Sequence, residues 1–93
     1  MEHFQSLVDG LSLNDIEILN VLSSKESLSK YSGRTKKEVY ESTQMTNSLF
    51  RKCILRLEAM KFIAIVPGSR EHLLHITEFG QEAIQNIYER SNA

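Results

Sequence analysis

The chain has 93 residues, of which 41% are hydrophobic and 25% charged. That suits one soluble domain spanning 1–93 and excludes intrinsic disorder. Such a chain buries roughly 60–65% of its unfolded surface, enough for a real but modest core. The longest apolar run, Phe62-Ile63-Ala64-Ile65-Val66, is too short to cross a bilayer, and Met1-Glu2-His3-Phe4-Gln5 lacks the basic start and apolar stretch of a secretory leader. A cytoplasmic location with no membrane partner is therefore expected. A single cysteine, Cys53, excludes an internal disulfide framework and a multi-cysteine metal site.

Phe4, Leu7, Val8 and Leu11 recur at helical spacing and predict a short helix over 1–10. Ser12, with Asp15 three residues on, reads as a helix start. Leu13, Ile16, Leu19, Val21 and Leu22 then carry a second helix over 13–24. The stretch from Ser23 to Gly33 is largely polar and reads as a loop pinned by Leu28 and Tyr31. Thr35-Lys36-Lys37-Glu38 has the spacing of a capping box, predicting a short helix over 36–42 that buries Val39. After the turn at Thr43-Gln44-Met45, Thr46 can cap a longer helix over 46–61. Phe50, Cys53, Ile54 and Leu57 form its inward stripe, and Ser48, Arg51, Lys52 and Arg56 form an acid-free outer face. Two apolar runs flank Pro67-Gly68-Ser69 and predict a β-hairpin over 62–76. Thr77 then caps a last helix over 77–90, with Phe79, Ala83, Ile84, Ile87 and Tyr88 on its apolar side.

Net charge is −1, from 11 basic and 12 acidic residues, but it is unevenly spread. From Lys30 to Lys61 there are eight basic and three acidic residues, a balance of +5, against −6 in the remainder. A one-sided basic segment is the electrostatic footprint of a nucleic-acid binder, although a merely solvated helix face gives the same count. The element order suggests a mainly α domain with a small β-hairpin. A short helix, a tight turn and a longer basic helix before that hairpin make a winged helix-turn-helix, whose second helix projects and suits the major groove.

Two stretches carry a family resemblance: Arg56-Leu57-Glu58-Ala59-Met60-Lys61-Phe62-Ile63 and Ile76-Thr77-Glu78-Phe79-Gly80. They resemble the winged-helix repressors of the MarR and PadR kind. In those families the recognition helix ends in Arg-Leu-Glu before the first wing strand, and the next helix opens with Leu-Thr-Glu-x-x-Gly or a close variant. Here Ile76 replaces the Leu, and Gly80 follows Glu78 by two. The resemblance runs from about Ile16 to Ile87. It implies a sequence-specific binder of double-stranded DNA, a small transcriptional regulator or repressor of a bacterium, phage or plasmid. The chain departs from the pattern in three ways. It lacks long terminal helices, its loop from Ser23 to Arg34 is long, and its short wing holds one basic residue, Arg70. These departures argue against a small-molecule sensor.

The resemblance implies that Thr46, Asn47 and Ser48 stand where the family reads base edges. Asn suits adenine, and the hydroxyls suit bases or phosphates. Arg51 can fork to a guanine edge and Lys52 can meet phosphate. Lys36 and Lys37 open a helix where a stabilising choice would be acidic, which marks them as phosphate contacts. Arg70 at the wing tip would reach the minor groove or the backbone. Arg56 lies far along its helix and is expected to pair with Glu58 or another neighbour instead.

Phe4, Leu7, Val8, Ile84, Ile87 and Tyr88 are read as a dimer surface built from the terminal helices. The alternative is that the first helix packs on its own last helix and leaves a monomer. The runner-up function is a protein-interaction module using Leu49, Leu55 and Leu73 as an exposed apolar patch. Cys53 reads as a small buried hydrophobe rather than a redox sensor. His72 and His75 fall on opposite faces of a strand, so no local metal site is expected. No phosphate loop, nucleophile elbow or Cys-His-acid grouping occurs, so neither an enzyme nor a cofactor is expected.

Overall fold

The computed structural model describes residues 2–24, 33–67 and 71–91, with side chains from Gln5 to Arg90 within those spans. Five helices and three strands follow in the order α1 (Glu2–Asp9), α2 (Leu13–Ser24), β1 (Arg34–Thr35), α3 (Lys36–Glu41), α4 (Asn47–Ala59), β2 (Ile63–Pro67), β3 (His72–Ile76) and α5 (Glu78–Ser91). Three helices meet in the core because each presents one apolar stripe: Ile18, Leu19 and Leu22 from α2, Phe50, Cys53, Ile54 and Leu57 from α4, and Ala83 and Ile84 from α5. Val39 of α3 and Phe62, Ile63, Leu74 and Ile76 of the sheet region close it.

The sheet is antiparallel, ordered β1-β3-β2. The hairpin register sets Ile63 opposite Ile76 and Ile65 opposite Leu74, which puts the bulky apolar residues on one face. The third strand was not expected from the sequence. Arg34 pairs with Leu74 and Thr35 with Leu73. Two residues are too few to show a period, and Thr35 is at the same time the N-cap of α3. Its hydroxyl accepts from the Glu38 amide at 3.1 Å while the Glu38 carboxylate accepts from the Thr35 amide at 3.3 Å.

The terminal helices pack on each other within one protomer. Arg90 pairs with Asp9 at 2.6 Å, and Asn86 donates to Gln5 at 3.5 Å. Val8 is 4% exposed and Ile84 7% exposed. Both were expected at a dimer surface. They belong instead to the protomer's own core cluster. Leu7 and Ile87 are half-buried against that core and Tyr88 stays exposed, its hydroxyl donating to Asn20 at 3.1 Å. The side chain of Phe4 and the loop residues Leu28 and Tyr31 lie outside the described part.

One junction locks α4 to α5. Lys61 ends the helix with φ of 68°, a left-handed conformation. Thr77 donates to the Lys61 carbonyl at 2.6 Å, its amide donates to the Phe62 carbonyl at 3.1 Å, and its hydroxyl accepts from the Gly80 amide at 3.0 Å. A Cβ at position 80 would overlap the Phe62 carbonyl oxygen and lie 2.7 Å from Ile76 Cγ1. The Ile76-Thr77-Glu78-Phe79-Gly80 stretch therefore has a packing reason: only glycine lets α5 cross so close to the chain leaving α4.

Candidate nucleic-acid interface

The helix-turn-helix is fixed from both ends. The turn after α3 is anchored by buried Met45 and by the Gln44 amide, which donates to the Glu17 carboxylate of α2 at 3.0 Å. Thr46 caps α4, its hydroxyl accepting from the Leu49 amide at 3.3 Å. Tyr40 and Phe50 stack edge to face, with centroids 5.2 Å apart, and join α3 to α4.

This packing gathers residues that are distant in sequence. Lys36 and Lys37 of α3 and Asn47 and Arg51 of α4 line a cleft of about 300 Å³ floored by Tyr40 and Phe50. A smaller adjoining cleft, about 120 Å³, adds Ile54 and Leu55 to Lys36, Phe50 and Arg51. Among the described residues no acid lines either. Thr46, Ser48 and Lys52 are exposed on and beside the start of α4, with Lys52 one turn on from Ser48. Lys36, Lys37, Arg51 and Lys52 make no salt bridge with any described residue. Arg70 lies outside the described residues.

Arg56 leaves the basic face. Its Nη2 sits 2.9 Å and 2.8 Å from the two carboxylate oxygens of Asp15 in α2, and not on Glu58. Asp15 is fully buried while the Arg56 side chain is 46% exposed. Asp15 also accepts from the Ser12 amide at 2.9 Å, and its own amide donates to the Ser12 hydroxyl at 3.2 Å. Burial pushes the Asp15 carboxyl up, but the Arg56 guanidinium and the Ser12 amide outweigh it and hold the group below the usual carboxylate range. Burial, reinforced by neighbouring Asp15, pushes the Cys53 thiol up to about 11, which leaves it protonated and unreactive. Arg34 is likewise engaged, 3.6 Å from Glu38.

A further cleft escaped the sequence reading. About 240 Å³ in volume, it lies between the first turn of α3 and the start of β3, lined by Lys36, Lys37, Glu71 and His72. The β1–β3 pairing brings these two pairs together, and no local pattern signals it.

No family model matches the chain. It is 32% identical over 84 residues to the DNA-binding protein TubR of Priestia megaterium, an alignment covering 90% of this chain and 83% of that protein. The solved structure of TubR from Bacillus megaterium superposes with a TM-score of 0.90 at 31% identity, covering 95% of this chain and 98% of that one. A MarR family transcription regulator shares the fold at 17% identity, with a TM-score of 0.74 over 97% of this chain and 59% of that one. The fold is therefore the winged helix, and at this identity and coverage the chain belongs to the TubR family.

Proposed function

We propose that this chain binds double-stranded DNA sequence-specifically and acts as a small transcriptional regulator, a repressor by occupancy of its site. The observation that carries this reading is the cleft joining Lys36 and Lys37 to Asn47 and Arg51, open to solvent and free of acid among the described residues. The DNA-binding relative supports it. In this reading Asn47, Ser48 and Arg51 read base edges, Thr46 caps the helix at the groove, and Lys36, Lys37, Lys52 and Arg70 meet phosphates. Catalysis and a cofactor have no part in it, and a DNA partner implies a cytoplasmic location. Among the described residues no helix is long and apolar enough to cross a membrane.

A homodimer belongs to the same proposal, since paired recognition helices about one DNA turn apart, roughly 34 Å, would read a two-fold site. With Val8 and Ile84 turned inward, the terminal helices offer Tyr88, 52% exposed, flanked by half-buried Leu7 and Ile87. Leu55, 66% exposed on α4, favours the second reading, a protein-interaction surface. Sedimentation of the parent, Tyr88→Asp and Leu55→Asp chains separates these surfaces. The test of function is selection from a random duplex library followed by anisotropy titration. Enrichment of one sequence, with affinity falling by nearly one log unit per log unit of salt for each phosphate met, is expected. No enrichment and no binding at low salt would overturn the DNA reading in favour of the protein-interaction one.

A further inference from the structure

We propose that the cleft between α3 and β3 seats a backbone phosphate of bound DNA, with His72 as its proton-dependent ligand, so that DNA affinity rises as pH falls. The proposal rests on the DNA reading above and extends it to a residue on the wing strand.

The geometry begins with the sheet. The β1–β3 ladder ends at Thr35 opposite Leu73; one residue further along each strand come Lys36 and His72. The short strand β1 thus delivers the start of α3 to the start of β3. Lys36, Lys37, Glu71 and His72, the described residues of the cleft's lining, are all exposed. A volume of about 240 Å³ is several times the share of one water in the liquid, about 30 Å³, so the cleft admits a phosphate group. It also shares Lys36 and Lys37 with the Asn47–Arg51 cleft, so DNA lying along α4 has its backbone carried towards His72.

The charges facing His72 can be named element by element. α3 supplies Lys36 and Lys37, and the residue entering β3 supplies Glu71. On β1, Arg34 is engaged by Glu38, and on β2 the residue opposite His72 is uncharged Pro67. Among the described lining residues the net charge is +1 with a neutral imidazole and +2 with an imidazolium. Histidine is the side chain whose charge changes between about pH 5 and 8. A phosphodiester favours the charged ring, so binding takes up a proton and lower pH tightens it. Glu71 opposes the phosphate and limits indiscriminate binding. His75 cannot substitute: it lies on the other face of β3, half-buried, with Nδ1 3.1 Å from the Ile76 carbonyl oxygen.

The test uses a rhodamine-labelled duplex of arbitrary sequence, about 30 base pairs long, because phosphate contacts do not depend on sequence. Anisotropy gives Kd for the full chain at pH 6 and pH 8 at fixed ionic strength. One further phosphate contact is worth roughly five- to tenfold near 0.1 M salt, so the parent should bind tighter at pH 6 by about that factor, with a salt slope steeper by about 0.9. His72→Gln should bind nearly equally at both pH values. Glu71→Gln should bind tighter at both and keep the pH dependence. Both residues are exposed, and circular dichroism checks that the variants are folded. If His72→Gln keeps the full pH dependence, or the parent binds equally at both pH values, the proposal is overturned while the DNA reading stands. Where the arbitrary duplex is not bound, the duplex enriched in library selection takes its place, and if that too is bound at neither pH the DNA reading falls and takes this proposal with it.

Discussion

Replacing Arg56 by Met removes the partner of a fully buried carboxylate while keeping much of the stem's packing. Breaking a buried ion pair from one side costs about 3–5 kcal/mol. Two features lower that here: 46% of the Arg56 side chain stays in water, and Asp15 keeps the Ser12 amide at 2.9 Å. A loss of about 2–3 kcal/mol remains, against a total stability on the order of 5–14 kcal/mol for a chain this long. In a domain of this size that lowers the melting temperature by roughly 10–20 °C. The pH dependence has a definite sign. Asp15 has a depressed folded pKa, so its contribution in the parent is present above the ordinary aspartate value, about 3.9, and is lost as pH falls through the folded value. Without Arg56, burial raises that pKa, so the gap between variant and parent should be widest near neutrality and should narrow on acidification. Differential scanning calorimetry between pH 3 and 7 measures both. A variant melting within about 3 °C of the parent at pH 7 would refute the pairing of Arg56 with buried Asp15 and return it to the basic face.

Gly80→Ala should cost about 1–3 kcal/mol or more, because the new methyl would meet the Phe62 carbonyl and Ile76, and chemical denaturation would read the loss as a lower midpoint. Lys61→Gly should instead stabilise, by up to about 1 kcal/mol, since glycine adopts the left-handed conformation at φ 68° without the Cβ penalty; a lower midpoint would contradict this. Cys53, buried and with its thiol pushed up to about 11, should resist a disulfide reagent at pH 8 in the native protein and react at once in denaturant.

What the sequence made legible was whatever repeats along one element. Phe50, Cys53, Ile54 and Leu57 marked the inward face of α4, and the same spacing left Arg51 and Lys52 outside. Thr35 and Glu38 announced the start of α3 because a capping box is local. Contacts between elements were not legible. Asp15 reads as a helix-start residue, and nothing near it shows that Arg56, 41 residues on, will neutralise it. An apolar stripe states that it must be covered, without stating by which chain. Val8 and Ile84 were therefore open to a dimer until α1 was seen to pack on α5. The pairing of Thr35 with Leu73 placed His72 beside Lys36 and Lys37, and a two-residue strand has no periodicity to announce it.

The central claim is that α4 carries DNA recognition. The most direct measurement is the affinity of the Arg51→Ala, Lys52→Ala double variant for the duplex enriched by the parent in library selection. Both side chains are exposed, so the fold should survive and melting should barely move. If Arg51 reads a base edge, its loss costs about 1–3 kcal/mol on the selected site and much less on a scrambled duplex, while loss of Lys52 flattens the salt slope by about 1. A folded double variant that binds the selected duplex as tightly as the parent would contradict the claim, and Leu55 would then be the residue to change, since Leu49, expected to be exposed beside it, is half-buried against the core.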